Sequence, residues 1–334
     1  MKPLVSILIP AFNAQEWISE TLQSAIAQTW ERKEIIVVDD GSSDHTVAIA
    51  RQFESSTVRV MANVHRGAAA ARNAAFDLSR GDFIQWLDAD DLLAPDKIEK
   101  QMESMGSAPS KSTLISGAWG QFMYRHENAK FVPSALWCDL SPREWLIRKM
   151  EHNAHMQTAT WLLSRELANA AGPWDKSLLY DDDGEYFCRV LMACDAVRFV
   201  PGSRVYYRSA PNSLSYLGLS NEKLEAQWRS MQLHIAYVRS LEDSKRVRMA
   251  CVTYIRNWMP FFYPERLDIF EQASEVSKCL GAELEVPSLS WKYAWIRALF
   301  GWHTASQTRR LCRKLRWSLV RRWDKTIYHL QKRA

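Results

Sequence analysis

Apolar runs that alternate with helix-forming segments most strongly constrain the fold of this chain. The runs Val5–Ile9, Glu34–Val38 and Phe83–Leu87 predict strands that are buried on both faces. A further short strand is predicted near Val58–Met61. Helical segments separate the four strands, and Gly67 marks the start of an alanine-rich helix over Ala68–Leu78. This β-α-β-α-β-α-β order indicates an α/β fold with a mostly parallel sheet that is flanked by helices.

Polar clusters follow the predicted strands at Pro10–Asn13, Asp39–Ser42 and Asp88–Asp91. Parallel strands bring such clusters to one edge of the sheet, where ligands of open α/β sheets bind. In the first cluster, Asn13 also fits the N-cap of the next helix, with Glu16 as its capping-box partner. We therefore predict a ligand site at the carboxyl ends of these strands.

The acidic cluster Asp88–Asp91 indicates what this site binds. Its three carboxylates repel one another, which is costly at the end of a buried strand. A hard divalent cation such as Mg²⁺ or Mn²⁺ relieves this repulsion, because it takes oxygen ligands and shares them with substrate phosphates. Taken alone, the segment also fits an acidic turn at the start of a helix.

The second half of the chain has a mixed pattern. Thr158–Leu163 predicts a strand, and residues 197–207 predict a hairpin that turns at a Pro-Gly pair. Residues 221–254 predict a helical region, which Pro260 and Pro264 are expected to interrupt. The chain is predicted to be helical again from residue 291 to its end.

Charge is concentrated near the carboxyl end, since residues 291–334 hold twelve Lys and Arg but one Asp. A helical wheel places apolar side chains on one face, and basic side chains on the other. The apolar face comprises Leu311, Leu315, Leu319, Trp323, Ile327 and Leu330; the basic face comprises Arg310, Arg313, Lys314, Arg321, Lys325 and Lys332. This pattern predicts contact with an anionic membrane surface. The alternative is packing of the apolar face on the chain's own domain or on a second copy.

Other partners and compartments are constrained by what the sequence lacks. No nucleic-acid-binding motif accompanies the basic charge, so we expect no nucleic acid partner. Six scattered cysteines without a Cys-x-x-Cys pair argue against a zinc site and a disulfide framework. The first strand begins too early to leave room for a signal peptide, and no run of 18 apolar residues predicts a membrane span. We expect a cytoplasmic protein, peripheral at the inner face of the cell membrane if its tail binds there.

Nucleotide-binding motifs of dehydrogenases and P-loop enzymes are absent from the sequence of the first half. The motifs that occur instead are Pro10-Ala-Phe-Asn13, Val38-Asp-Asp-Gly-Ser42, Arg72-Asn73 and Asp88-Ala-Asp90-Asp91. Their order and spacing resemble those of family 2 glycosyltransferases of GT-A fold, over roughly residues 3–210. The resemblance implies a Rossmann-like nucleotide-binding half over 1–110 and an acceptor-binding half over 111–215. A mostly helical extension would follow over 216–334.

The resemblance implies that the first three motifs bind the donor nucleotide. Asp40 would accept a hydrogen bond from the base, and N3–H of uracil is a natural donor to a carboxylate. A UDP-sugar is therefore the favoured donor. Pro10, Phe12 and Asn13 would line the base and ribose pocket, and Arg72 would approach the nucleotide or its phosphates.

The fourth motif would meet the diphosphate. In the resemblance, Asp88 lies near the ribose and Asp90 binds the metal that bridges the two phosphates. A divalent cation, Mn²⁺ or Mg²⁺, would stabilise the charge that the leaving nucleoside diphosphate gains. Asp91 would orient the loop or face the donor sugar, and Asp39 would support its own loop.

A second acidic segment, Tyr180–Glu185, resembles the acidic pair of the family. Counting back six residues from Arg189, as the family spacing requires, gives Asp183. Asp183 would be the general base that deprotonates the acceptor hydroxyl, and a single displacement would invert the anomeric carbon. Asp182 stands where the family commonly has Glu, and Glu185 would hold donor or acceptor hydroxyls. A charged helix N-terminus is the alternative for this segment.

Two tryptophans flank the second acidic segment. Trp161 and Trp174 could pack on the apolar face of a sugar or belong to the core. The segment Gln227-Trp228-Arg229 does not match the Gln-x-x-Arg-Trp motif of processive family members. This departure implies transfer of single sugars.

The resemblance therefore implies an inverting, metal-assisted glycosyltransferase. It would move one sugar to an acceptor hydroxyl of a cell-surface polysaccharide or lipid-linked oligosaccharide. A nucleotidyltransferase is the enzymatic alternative, against which the missing glycine-rich activating loop counts. A non-catalytic protein that binds nucleotide sugars, or acts as a scaffold, is the alternative from another class.

Overall fold

The structure is a computed structural model that describes residues 2–106, 110–209, 220–287 and 291–331. In the amino-terminal half, strands and helices alternate in the order that the apolar runs predict. These elements are β1 (Val5–Ala11), α1 (Ile18–Ile26), β2 (Lys33–Asp39), α2 (Thr46–Arg51), β3 (Val58–Ala62), α3 (Ala68–Leu78), β4 (Phe83–Trp86), β5 (Leu92–Leu93) and α4 (Lys97–Ser104).

The second half adds short strands and then helices. Its first part comprises β6 (Thr113–Phe122), β7 (Lys130–Phe131), α5 (Pro142–Glu151), β8 (Leu163–Ser164), α6 (Arg165–Ala171), α7 (Asp182–Ala193) and β9 (Ala196–Arg208). Its last part comprises α8 (Asn221–Leu241), α9 (Lys245–Phe262), α10 (Leu267–Cys279) and α11 (Ala294–Gln331). The predicted α/β class with a helical carboxyl-terminal part is confirmed. The domain boundary predicted near residue 215 lies outside the described residues.

The larger sheet has five strands in the order β3-β2-β1-β4-β8. β1 pairs in parallel with both β2 and β4, so that Leu8 lies beside Ile36 and Trp86. β8 joins β4 as an antiparallel edge strand. The carboxyl ends of β1, β2 and β4 therefore meet at one edge, which is where their polar clusters lie.

The continuous apolar strands are explained by burial of both sheet faces. In β1, Ile7 and Ile9 pack into the core under α1, whereas Leu8 packs into the core that α3 covers. That second core continues without interruption through α5–α7 to α8–α10, where it includes Trp228 and Ile255. Helices α8–α10 thus share a core with the sheet, and this core also includes residues of α7, the helix that carries the acidic segment.

The predicted cap of the first helix is wrong. Helix α1 begins at Ile18, its N-cap is Trp17, and that residue makes no side-chain capping bond. Asn13 lies in a left-handed turn (φ 47°), and its Oδ1 accepts a hydrogen bond from the amide of Ser43 at 2.9 Å. A turn between Asn13 and the helix delays the helix, so Asn13 instead ties the loop after β1 to the loop after β2.

Two strand predictions in the second half are also wrong. The first half of Thr158–Leu163 is not extended, because Thr158–Thr160 forms a short 3-10 helix that the Gln157 side chain caps, and β8 begins only at Leu163. The predicted hairpin is one bent strand, β9, which pairs in parallel with β6 on both sides of a bulge. The register shifts between Gly117 and Ala118, and the Pro-Gly pair sits in the extra length of β9.

The predicted helical region over 221–254 is two helices, because α8 ends at Leu241 and Ser244 caps α9. Pro260 lies inside the last turn of α9 and does not end it, contrary to the prediction. The helix ends at Phe262 instead, two residues before Pro264. In the described ranges, no helix combines the length and hydropathy that crossing a bilayer requires.

Helix α11 docks on the domain through a polar and aromatic face. The carboxylate of Asp324 accepts hydrogen bonds from the amide of Tyr124 at 3.0 Å and from Nε of Arg125 at 2.7 Å. One turn further on, the hydroxyl of Tyr328 donates to Oε1 of Glu20 in α1. Because both carboxylates are part-buried, these contacts fix α11 against α1 and against the segment that follows β6.

The predicted apolar face of α11 points away from this contact. Side chains more than half exposed are Leu311, Leu315, Leu319, Trp323 and Leu330. The side chains of Arg310, Arg313 and Lys314, and the whole of Lys332, lie outside the described residues. These five side chains therefore do not pack on the chain's own domain, whereas Ile327 on the same face is partly buried. Contact with a membrane surface and contact with a second copy both stay predictions for the exposed part of this face.

Candidate donor and catalytic site

The loop after β2 is organised by Asp39. This buried carboxylate accepts hydrogen bonds from the amides of Gly41 at 3.0 Å and Ser42 at 2.9 Å. Gly41 has φ 77°, and a Cβ there would lie 2.7 Å from the amide nitrogen of His65. The loop therefore needs glycine at this point, and Asp39 closes the turn that presents Asp40.

Asp40 joins this loop to the start of α3. Its Oδ1 accepts from the amide of Arg66 at 2.8 Å, and its Oδ2 accepts from the amide of Gly67 at 2.9 Å. Nδ1 of His65 lies 2.8 Å from the same Oδ2. Asp40 is thus already bonded within the chain, so any base that it binds must share its remaining lone pairs.

An exposed aromatic surface lies beside Asp40. The ring of Phe12 stacks on the ring of His65 with centroids 4.5 Å apart, and Phe12 is 47% exposed. Pro10, at the end of β1, is partly buried beside Val38. Asp40 also lines a cavity of about 310 Å³, together with Asn63, Arg66, Asn73, Asp77 and Lys176 among others.

Arg72 brings the two acidic segments together. One guanidinium nitrogen donates to Asp88 at 3.0 Å and the other donates to Asp182 at 2.7 Å. Burial alone would lower the pKa of Arg72, but the carboxylates of Asp182, Asp88 and Asp183 outweigh it and raise the pKa. Removing this cation would leave part-buried carboxylates without their partner, which is strongly destabilising.

The turn after β4 carries Asp90 and Asp91 in different environments. Asp91 is fully buried, and its Oδ1 accepts from the amide of Arg208 at 2.8 Å. Burial, with the neighbouring carboxylates of Asp90 and Asp88, raises the pKa of Asp91 well above its usual value. Asp91 therefore anchors the turn from inside the protein.

Asp90 is the carboxylate of this turn that fits a cation. Burial and the charge of Asp88 raise the pKa of Asp90 to about 7, although Arg208 opposes the shift. Among the described residues, no other side chain donates a hydrogen bond to its carboxylate. No group of three or more His, Cys, Asp or Glu there forms a metal cluster either. The residues fit a site that substrate phosphates complete, because Mg²⁺ commonly takes one or two protein carboxylates beside a nucleotide.

The second acidic segment starts helix α7. Asp181 adopts a left-handed conformation (φ 57°), and its Oδ2 accepts from Ser230 Oγ at 2.7 Å and from Gln227 Nε2 at 3.2 Å. Burial raises the pKa values of Asp181 and Asp182 to about 6, and the charge of Asp183 contributes to each shift. Asp183 itself accepts from the hydroxyl of Thr158 at 3.1 Å.

Glu185 and the two tryptophans are engaged in supporting contacts. Glu185 accepts from Nε of Arg189 at 2.7 Å and from the hydroxyl of Tyr237 at 2.9 Å. Trp161 is 1% exposed and packs in the core, so neither face of its ring is open to a sugar. Trp174 is also buried, and the guanidinium of Arg72 lies 4.4 Å from its ring centre.

Sequence reasoning missed Arg208, which ends β9. Its side chain is fully buried between the rings of Trp17 and Phe122, at 4.0 and 4.5 Å from their centres. Arg208 also donates to the backbone carbonyl of Asp90 at 2.7 Å. An arginine at the end of a largely apolar strand was the available signal, but it did not reveal which carboxylates the residue would meet.

The sequence profile described as Glycosyl transferase family 2 matches residues 6–166, which include Asp39, Asp40, Arg72 and the Asp88–Asp91 turn. These residues, just under half of the chain, therefore match a family 2 glycosyltransferase domain. Its architecture is similar to that of S. aureus TarS 1-349 in complex with UDP-GlcNAc, with a TM-score of 0.68 and 16% identity. That likeness covers 93% of this chain and 92% of TarS 1-349, and it shows that the fold is GT-A.

Curated relatives match the family 2 domain over part of their length. The UDP-Glc:alpha-D-GlcNAc-diphosphoundecaprenol beta-1,3-glucosyltransferase WfgD of Escherichia coli is 33% identical over 170 residues. That match covers 50% of this chain and 62% of WfgD. An uncharacterised glycosyltransferase of Rickettsia bellii is 36% identical over 36% of this chain, which spans 19% of that protein.

Proposed function

We propose that this protein is an inverting glycosyltransferase that moves one sugar from a UDP-sugar to an acceptor hydroxyl. The observation that carries the proposal is the contact of Arg72 with both Asp88 and Asp182. Through it, the donor motif after β4 and the acidic start of α7 face one another across a single guanidinium. A donor bound at the first would present its sugar to the second.

Each side chain has one task in this mechanism. Asp40 and the Phe12 ring bind the nucleotide base, Pro10 and Asn13 border the ribose, and Arg72 balances charge beside the diphosphate. Asp90 would hold a divalent cation with Asp88 beside it. A bound Mn²⁺ or Mg²⁺ would stabilise the charge that the leaving diphosphate gains.

Asp183 takes the proton. The acceptor oxygen forms a bond to the anomeric carbon while the bond from that carbon to the phosphate oxygen breaks, and the hydroxyl proton passes to Asp183. A single displacement of this kind inverts the anomeric carbon. Thr158 orients the Asp183 carboxylate by donating to Oδ2 at 3.1 Å, which leaves Oδ1 for the acceptor.

The donor and acceptor classes are supported by similar proteins. TarS 1-349 was solved in complex with UDP-GlcNAc, and WfgD is named for UDP-Glc and an acceptor linked through a diphosphate to undecaprenol. We extend to this chain a UDP-sugar donor and a glycan or lipid-linked acceptor of a cell-surface polysaccharide. The predicted halves 1–110 and 111–215 would bind donor and acceptor respectively.

Calorimetric titration of UDP and GDP, each with and without Mn²⁺, tests the donor site. We expect UDP to bind more tightly than GDP, because the proposal assigns Asp40 to N3–H of uracil. We also expect Mn²⁺ to strengthen UDP binding, because Asp90 and the phosphates share it. Tighter binding of GDP would correct the donor class, and binding of neither nucleotide would contradict the proposed transferase.

We further propose that the exposed apolar face of α11 rests on an anionic membrane surface. Leu315, Leu319 and Trp323 are more than half exposed there, and the segment 291–334 is strongly basic. An amphipathic helix with these features buries its apolar side chains among lipid headgroups while its basic residues meet anionic lipids. A lipid-linked acceptor would lie in the same surface. All six cysteines are free thiols, which fits the cytoplasmic side.

Vesicle binding tests this placement. We expect the full chain to co-sediment with phosphatidylglycerol vesicles, and the variant with Leu315, Leu319 and Trp323 each changed to Gln to lose about a hundredfold in affinity. Truncation after residue 290 should release the protein as well. A control with Gln at the exposed Val132 and Leu267 should bind normally, because these residues lie outside α11. Unchanged binding by the triple variant would contradict the membrane contact, and conversion of a dimer to a monomer would support a second copy instead.

A further inference from the structure

The buried guanidinium of Arg208 connects three parts of the chain. Its backbone amide donates to Asp91, its Nε donates to the carbonyl of Asp90 at 2.7 Å, and its NH2 group donates to Oε2 of Glu20 at 2.9 Å. Arg208 therefore bonds both to the turn of the donor motif and to helix α1. Its side chain has no exposure to solvent.

A buried charge of this kind needs a paired carboxylate. The salt bridge with Glu20 supplies one, with Oε2 of Glu20 as the acceptor. The remaining contacts of the guanidinium are with carbonyl groups and with the faces of aromatic rings. Glu20 therefore supplies the charged contact of a guanidinium that also bonds the carbonyl of Asp90.

Glu20 is itself held from the carboxyl-terminal end of the chain. Its Oε1 accepts a hydrogen bond from the hydroxyl of Tyr328 in α11. The ring of Tyr328 lies 5.7 Å from the ring of Tyr124, and Arg321 donates to the hydroxyl of Tyr124 at 2.9 Å. Continuous contacts thus run from α11 through Glu20 and Arg208 to the Asp90–Asp91 turn.

We propose that α11 positions the metal-binding turn through Tyr328, Glu20 and Arg208. Tyr328 and Glu20 are positioning residues in this proposal, which rests on the proposed function because it assigns Asp90 to the donor diphosphate. The two faces of α11 then differ in role. The apolar face is exposed, and the face that carries Tyr328 holds the Asp90–Asp91 turn through Glu20 and Arg208.

Hydrogen–deuterium exchange on the full chain without ligand tests the connection. We expect Tyr328→Phe and Glu20→Gln to speed exchange of the amides in residues 88–94 by about tenfold, because a bond to a charged group is lost. Glu16→Gln is the matched control. Glu16 also contacts α11, through Lys325 at 3.6 Å, but it makes no contact with Arg208 in the structure.

Donor binding supplies the second readout. We expect the same two variants to weaken Mn²⁺-dependent UDP binding about tenfold by calorimetry, and Glu16→Gln to bind as the wild type does. If Glu20→Gln does not fold, Tyr328→Phe decides the matter, because it leaves the Glu20–Arg208 ion pair in place.

Folded variants with wild-type exchange in residues 88–94 would overturn the proposal, and so would an equal effect of Glu16→Gln. Faster exchange in the two variants alone would support it. The exchange measurement needs no nucleotide. Failure of the wild type to bind UDP would therefore count against the proposed function, while the exchange data would still decide whether α11 holds the turn.

Discussion

Replacement of Asp183 by Asn is expected to lower kcat by about a hundred- to ten-thousandfold, which is the usual contribution of a general base. The amide cannot take the proton of the acceptor hydroxyl, although it keeps the size of the carboxylate and the hydrogen bond from Thr158. Affinity for UDP should change little, because Asp183 faces the acceptor rather than the nucleotide in the proposed mechanism. Transfer from a UDP-sugar to an acceptor glycan, followed by product analysis, measures the first effect, and calorimetry measures the second.

Two further variants serve as comparisons for Asp183→Asn. Asp195→Asn changes an exposed carboxylate just beyond the other end of α7, and it should leave kcat unaltered. Asp182→Asn removes one of the two carboxylate partners of Arg72 and should weaken donor binding as well as transfer. Wild-type transfer by Asp183→Asn would remove the base assignment, and Asp182 would become the leading candidate.

Replacement of Asp90 by Asn is expected to abolish the gain in UDP affinity that Mn²⁺ provides, a loss of about a hundredfold or more. The neutral amide is a poor ligand for a hard cation, and the diphosphate then keeps its charge without compensation. Calorimetric titration of UDP with and without Mn²⁺ measures the difference. Binding without Mn²⁺ should remain, because the substitution leaves the proposed contacts of the base with Asp40 and Phe12 unchanged.

Neighbouring carboxylates serve as controls for Asp90. Asp96→Asn alters a side chain that is 43% exposed and paired with Lys100, so UDP binding should be normal. Asp91→Asn should instead reduce folding stability, because Asp91 is buried and accepts from the amide of Arg208. If Asp90→Asn retains the full effect of Mn²⁺, the cation lies elsewhere or is unnecessary.

The helices after residue 220 bear on the predicted domain organisation. Gln227 and Ser230 of α8 hold Asp181, and Tyr237 of the same helix holds Glu185. A boundary near residue 215 stays a prediction, but these contacts mean that the helical part supports the acidic segment. We infer that removal of α8 would disturb the start of α7 as well as the core beneath it.

The class of fold follows from the local pattern of the chain. Apolar runs such as Val5–Ile9 are buried on both faces only in a covered parallel sheet, and Ala68–Leu78 has both the composition and the glycine start of a helix. Since parallel strands end at the same edge, the meeting of the clusters after β1, β2 and β4 also follows. These features depend on residues that are close together in sequence.

Contacts between distant residues were decided by tertiary packing. The Pro-Gly pair in β9 looks like a hairpin turn, but the long partner β6 keeps the strand extended on both sides of a bulge. Arg72 could have met a phosphate or solvent, and the position of the first residues of α7 gave it Asp182. Likewise, the helical wheel of α11 shows an apolar face that could have packed on the domain. The helix instead contacts the domain through Asp324 and Tyr328. Side-chain spacing within one helix cannot encode these partners, because each depends on where another element lies.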